Sequence, residues 1–355
     1  MRICLIASSA YPVAEPFAGG LEALVHQLAR GLVARGHEVS LFAAAGSDPA
    51  LRVTSLEAVE FRSSRVAGRD VNAPPERWMA EHHAYLSLML GLADGGASRY
   101  DVVHNHSLHH LPVAMAPMLD VPMLTTLHTP PLPWLESAIL AAPGATAFTA
   151  VSRWTAQAWA HVVTSAPVLN GVDTDAWPWG PGGGPVVWTG RLVREKAPHD
   201  AMDAARVAGL PLVLAGPVTD DAYFEEAIAP RLGPHAVHVG HLDHRALARL
   251  LGRAAVAVVT PEWDEPYGLV AAEAMSCGTP VAAYARGALP ELVNDEVGAL
   301  AMPGDVDGLA VALDRARRRD RRTVRAHAVE RLSAARMIEE YEARYLALAG
   351  GEVAA

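Results

Sequence analysis

Two acids and two cations in the second half of the chain are the residues best suited to chemistry. Glu265 and Glu273, with seven residues between them, belong to the stretch EWDEPYGLVAAEAMSCG, residues 262–278. Pro266 and Gly268 mark a turn, and a helix is expected to begin near Gly268. The first amides of a helix have no intrahelical acceptor, so those of Gly268 and Leu269 make an anion site without side-chain charge. Each helical residue rises about 1.5 Å, which puts Glu273 about 7 Å further along the axis. A diphosphate ester at the helix start would then have Glu265 on one side, and Glu273 would accept hydrogen bonds from hydroxyls on the other.

Arg191 and Lys196 lie in VWTGRLVREK, residues 187–196, just beyond an apolar run that reads as a strand. Loops at the carboxyl ends of the strands of an open α/β sheet form its ligand crevice, where these two cations can neutralise a diphosphate. The competing reading is a solvated helix start paired with Glu195. Lys196 is the only lysine among 29 basic residues. A compact ammonium at one position of an arginine-using chain suits a task a planar guanidinium does not, with chance as the rival explanation.

The elements that must hold these groups alternate. Residues 3–7 read as a strand, 8–20 as a loop, and Leu21, Leu24, Val25, Leu28 and Leu32 recur at helical spacing before Gly36 and a strand at 38–43. Further strands are expected at 102–106, 123–128 and 148–151. After the GPGGGP segment at 180–185, the best hinge candidate, others follow at 186–189, 212–215, 237–239, 256–260 and 281–284. The pattern predicts two doubly wound α/β halves facing a cleft across a flexible joint. A last helix, with Met337, Ile338, Tyr341, Tyr345 and Leu348 at helical spacing, carries an apolar face that must dock.

Composition narrows the classes. With 355 residues, 51% hydrophobic and 19% charged, the chain suits two globular domains. A formal net charge of −10 argues against a general nucleic-acid binder, whose surface must be basic. Two cysteines suggest no disulfide framework, the first twelve residues read as a core strand rather than a leader, and no apolar run approaches the roughly 20 residues that span a bilayer. A cytoplasmic protein is the expectation.

Taken together, GRLVREK and EPYGLVAAE resemble retaining glycosyltransferase family 4 of the GT-B fold. AGGLE at 18–22, DVVHNH at 101–106, AVS at 150–152 and NGVD at 170–173 agree in order along nearly the whole chain. The resemblance implies an α/β architecture of two Rossmann-like domains: an acceptor domain at 1–167 and a nucleotide-sugar domain at 168–330. It also implies a C-terminal segment at 331–355 that crosses back to the first. By position, Arg191, Lys196 and the amides of Gly268 and Leu269 would hold the donor diphosphate. Glu273 would bind ribose hydroxyls and Glu265 the transferred sugar; Gly19 and Gly20 would let a loop approach the phosphates, and His128 would lie near the reacting sugar. The backbone at Gly240, His241 and Leu242 would meet the nucleobase. Retention by front-side attack is implied, with no cofactor, no metal and a nucleotide diphosphate sugar as donor. Residues 62–96 are expected to shape the acceptor side, and their mixed polarity with the acidic net charge points to a small soluble, natural-product or saccharide acceptor rather than a lipid. The alternatives are a GT-B sugar nucleotide epimerase and a non-catalytic nucleotide-sugar-binding protein.

Other features read more plainly. Asp173 and Asp175 suit a turn better than a metal pair. His104 and His106 point the same way on a strand with His109 and His110 close by; core or cleft hydrogen bonding is favoured over zinc. His82 and His83 belong to an ordinary helix. The arginine run at 315–325 reads as a solvated helical face, with anionic membrane contact as the lesser reading. Trp177 and Trp179 either pack the interdomain joint or stack on a ligand.

Overall fold

The computed structural model describes residues 1–56 and 61–351. The chain divides into two units: Met1–Val151, Thr155–Val168 and Ile338–Ala355 form unit 1, and Ser152–Trp154 with Leu169–Met337 form unit 2. Unit 1 is built on β1 (Arg2–Ile6), β2 (Glu38–Ala43), β3 (Val53–Ser55), β4 (Val102–Asn105), β5 (Met123–Leu127), β6 (Ala147–Ala150) and β7 (Ala166–Pro167), in the order β3-β2-β1-β4-β5-β6-β7. Unit 2 is built on β8 (Val186–Thr189), β9 (Leu212–Ala215), β10 (Ala236–His238), β11 (Val256–Val259), β12 (Val281–Tyr284) and β13 (Gly298–Ala301), in the order β10-β9-β8-β11-β12-β13. All strand pairs are parallel.

Parallel sheets are covered on both faces, which is why β4, β5, β8 and β12 are buried at every position. In each sheet the winding reverses after the third strand, so a switch point lies between β1 and β4 and another between β8 and β11. Ligands of doubly wound sheets bind beyond the carboxyl ends of the strands at such points.

Residues 180–185 are not the expected joint. They lie inside unit 2, where the amides of Gly180, Gly182 and Gly184 donate to the carbonyls of Cys277, Gly252 and Arg253. A Cβ on Gly180 would meet the Gly252 carbonyl oxygen at 2.2 Å, so glycine serves close backbone approach here rather than flexibility. Trp177 and Trp179 pack within the same unit, Trp177 edge-on to His244 and Trp179 beneath the Arg321 guanidinium.

The arginine run is likewise not simply a solvated face. Arg321 shares its guanidinium among the carbonyls of Gly180, Gly252, Ala254 and Cys277 and the Thr279 hydroxyl. Arg325 does the same for Thr174, Trp177 and Ser276. These cations staple the 174–184 segment to the body of unit 2. Arg321→Ala takes the guanidinium donor from the Gly180 and Ala254 carbonyls and is expected to reduce stability by ~2–4 kcal/mol, read from the midpoint of urea unfolding.

The final helix, Ala334–Ala349, begins in unit 2 and crosses back to unit 1. Its Ile338 fills the space left by Gly31, where a Cβ would meet Ile338 Cδ1 at 2.1 Å. Glu342 pairs with Arg35 and His37, and Tyr341 and Tyr345 are fully buried. Among the described residues no helix is long and apolar enough to cross a membrane.

Candidate active site

The switch point of unit 2 brings two distant side chains together. The Lys196 Nζ lies 2.5 Å from Glu265 Oε2, with relative exposures of 23% and 15%. Lys196 follows β8 and Glu265 follows β11, so it is the adjacency of these two strands that joins residues 69 positions apart. The ammonium also sits 4.8 Å from the centroid of the Trp263 ring, whose face attracts a cation.

Both backbones are tied down. Thr260, just beyond β11, donates to the carbonyls of Lys196 and Ala197 and accepts from the Trp188 indole. Ala197 is held at φ 42°, the only non-glycine residue with positive φ among those described, a strained conformation that the surrounding hydrogen bonds sustain. The Glu265 carbonyl accepts from the Ala288 amide, and a Cβ on Gly287 would meet that carbonyl oxygen at 2.2 Å. Ser152, of the AVS motif, donates to the Pro266 carbonyl at 2.6 Å within the same unit.

Gly268 caps the helix Leu269–Ser276 at φ 99°, a conformation that favours glycine, and the amides of Gly268 and Leu269 have no acceptor among the described residues. Arg191 is half-exposed, and among the described residues its side chain makes only a loose contact of 3.7 Å with Glu195. Unit 2 therefore presents an ammonium, a guanidinium and a helix start beyond the carboxyl edge of one sheet. Such a set suits a diphosphate.

At the carboxyl edge of the unit 1 sheet, His128 follows β5 and belongs to a buried hydrogen-bonded chain. His128 Nε2 is 3.0 Å from His106 Nδ1, His106 Nε2 is 3.1 Å from His104 Nδ1, and the Tyr345 hydroxyl lies 2.6 Å from that same His104 nitrogen. His104 Nε2 contacts Thr126 Oγ1, which also meets Tyr341 and Thr149. Burial pushes His104 and His106 well below the usual histidine range and His128 down to about 3, so all three are neutral. A phenol donates readily to an imidazole nitrogen. The single lone pair of His104 Nδ1 faces two groups, the Tyr345 hydroxyl and His106 Nε2, so the proton order of the chain follows from which of them donates there. Where His106 donates, His128 donates through Nε2 to His106 and its Nδ1 is left as an acceptor.

Comparison with known proteins decides the family. Residues 18–176 match the Glycosyltransferase Family 4 model, and residues 182–330 match Glycosyl transferases group 1. A glycogen synthase of Mycobacterium tuberculosis is 32% identical over 364 residues, covering 88% of this chain and 85% of its own. The chain is a family 4 glycosyltransferase. Its fold is GT-B, shared with AviGT4, a glycosyltransferase involved in avilamycin A biosynthesis, at a TM-score of 0.71 and 23% identity over 98% of both chains. It is also shared with HepE of Anabaena in complex with UDP-glucose, at 0.72 and 18% identity over 96% of this chain and 99% of the other.

In this glycosyltransferase the remaining expected residues occupy several places. Gly19 caps the helix Gly20–Ala34 of unit 1 from extended backbone. Gly240, His241 and Leu242 form the loop after β10, where the Gly240 carbonyl accepts from Gly216. Asp173 accepts from the amides of Asp175 and Ala176, the expected turn role. The structure gives Thr260, Trp263 and Tyr345 places that the sequence did not assign them. Trp263 had a signal in its position inside the EWDEPYG stretch, and Tyr345 had one in the apolar face of the last helix, though not for its contact with His104.

Glu273 sits on the Leu269–Ser276 helix with no side-chain partner among the described residues, and desolvation pushes its carboxyl up to about 7. A group whose folded pKa is raised from 4.5 to about 7 makes stability fall as pH rises across that window, because only the folded state still holds the proton. Glu273→Gln is expected to flatten that dependence. It should also remove a rise in donor affinity as pH climbs towards 7, since a carboxylate accepts hydroxyl hydrogen bonds better than a carboxylic acid. Calorimetric titrations from pH 5.5 to 8 check both effects.

Proposed function

We propose that this enzyme transfers a hexosyl group from a nucleoside diphosphate sugar to a small soluble or saccharide acceptor, with retention at the anomeric carbon and without a metal ion. The observation that carries the reading is the Lys196–Glu265 pair at the β8/β11 switch point, beside a helix start with free amides. As the bond between the anomeric carbon and the phosphate oxygen breaks, charge grows on the departing diphosphate. Lys196, Arg191 and the Gly268 and Leu269 amides stabilise it, a preorganised electrostatic effect that is often the largest catalytic term. Glu265 accepts hydrogen bonds from the transferred sugar and Glu273 from the ribose. The acceptor oxygen bonds to the anomeric carbon from the leaving-group side, and its proton passes to a donor phosphate oxygen. HepE, solved with UDP-glucose, supports a donor of this class.

On the acceptor side, unit 1 holds a cavity of about 800 Å³ lined by Ser9, Tyr11, Phe61, Arg62, Glu76 and Glu81. Its mixed polarity suits a small hydroxylated molecule. The two buried free thiols, Cys4 and Cys277, agree with a reducing, cytoplasmic setting. A thermal-shift panel of UDP-, GDP-, ADP- and TDP-sugars tests the reading, because the true donor stabilises the folded state by mass action. One donor is expected to raise the midpoint and to turn over equally well in excess EDTA. Loss of turnover in EDTA would remove the metal-free mechanism, and no shift with any donor would remove the donor assignment.

A further inference from the structure

Outside the transfer machinery, unit 1 gathers three imidazoles that the sequence keeps apart. His82 lies in the helix Glu76–Ala93, while His109 and His110 open the helix His110–Met115 that follows β4. One ligating atom from each lies within 4.8 Å of the other two, and each residue is only partly buried, so an ion can enter. His82 Nδ1 is itself buried and has no hydrogen-bond partner among the described residues, an arrangement that needs an explanation in a folded protein. Aromatic rings fix the imidazoles: Trp78 stacks on His82, Tyr85 on His109 and Trp134 on His110.

We propose that His82, His109 and His110 form a binding site for a zinc-class divalent transition metal, clamping the Glu76–Ala93 helix to the loop after β4. Three imidazoles are a common zinc ligand set, with nitrogens about 2.0–2.1 Å from the metal and a fourth position left to water or an exogenous ligand. Coordination at those lengths sets the three nitrogens ~3.3 Å apart, so the ligating atoms, now within 4.8 Å of one another, must draw together on binding. One hydrogen bond must yield: His109 Nδ1 now accepts from the Leu111 amide at 3.2 Å, and coordination of His109 through either nitrogen ends that cap. Losing such a bond costs about 1 kcal/mol, small beside the coordination of a zinc ion. The clamp is separate from the diphosphate chemistry, none of whose groups it contains.

The test uses the full, untagged chain, stripped with EDTA and then titrated with Zn²⁺ by calorimetry and with Co²⁺ by visible absorption. One equivalent should bind at low micromolar affinity or tighter, Co²⁺ should give the intense bands of a four-coordinate site, and the Leu111 amide should exchange faster once metal is bound. His82→Ala and His110→Ala should each abolish binding while leaving circular dichroism unchanged. His83→Ala should retain it, because His83 faces Phe61 instead. Absence of stoichiometric binding, or binding that survives both the His82 and His110 variants, would overturn the proposal.

Discussion

Lys196→Ala is expected to lower kcat/KM by about 10²–10³, the range seen when one preorganised donor to developing oxyanion charge is removed. The ammonium has two tasks that no neighbour can assume. It lies 2.5 Å from Glu265, and in the mechanism proposed above it also faces the departing diphosphate. Its loss leaves a largely buried carboxylate beside the phosphates, so donor affinity and turnover should fall together. The pair retains some solvent contact, so the stability loss should stay below the ~3–5 kcal/mol typical of broken buried pairs. Lys196→Arg should recover little, since a guanidinium spreads its charge over a planar fork and does not place it at the single point beside Glu265 and Trp263 where the ammonium stands. Steady-state kinetics together with thermal melting separates the two effects.

His128→Ala is expected to lower kcat by about 10²-fold, within the range for positioned side chains that exchange hydrogen bonds with reacting groups. Burial holds its pKa at about 3, so this imidazole does not ionise at working pH. The kcat profile of the wild type should therefore show no limb from His128 between pH 5 and 8. Tyr345→Phe probes the same chain from its far end. Without the phenol, one of the two groups that face His104 Nδ1 is gone, which alters the proton order that reaches His128. A fall in kcat with donor KM unchanged, accompanied by altered histidine ¹⁵N shifts, is the expected signature; a purely structural role for Tyr345 would lower the melting temperature without moving those shifts.

Much of this architecture was legible because parallel strands buried on both faces appear as short apolar runs. The strands at 38–43, 186–189, 212–215 and 281–284 have the expected bounds; those expected at 102–106, 123–128 and 256–260 end one residue earlier, and those at 3–7, 148–151 and 237–239 are shifted by one residue. The strands that escaped, β3, β7 and β13, lie at sheet edges. β13 reads GALA, which has none of the branched or aromatic residues that announce a strand. The hinge reading of 180–185 failed because glycine serves flexibility and close packing alike, and only the tertiary contact with Gly252 tells them apart. The arginine run misled for a related reason: Arg321 and Arg325 satisfy backbone carbonyls remote in sequence, which leaves no periodic trace.

At the site, the paired acids and the helix start were readable because they share one local segment. The Lys196–Glu265 contact was not, because it depends on which strands are neighbours. Nor was the meeting of His82 with His109 and His110, for which helix periodicity offers no hint.

The most direct measurement is a crystal structure of the enzyme with an intact sugar nucleotide. The diphosphate is expected within hydrogen-bonding distance of Lys196 Nζ and the Gly268 and Leu269 amides, with Glu273 on the ribose hydroxyls and Glu265 on the sugar. A nucleotide seated elsewhere, with the Lys196–Glu265 pair unchanged and all four groups in contact with solvent alone, would contradict the account.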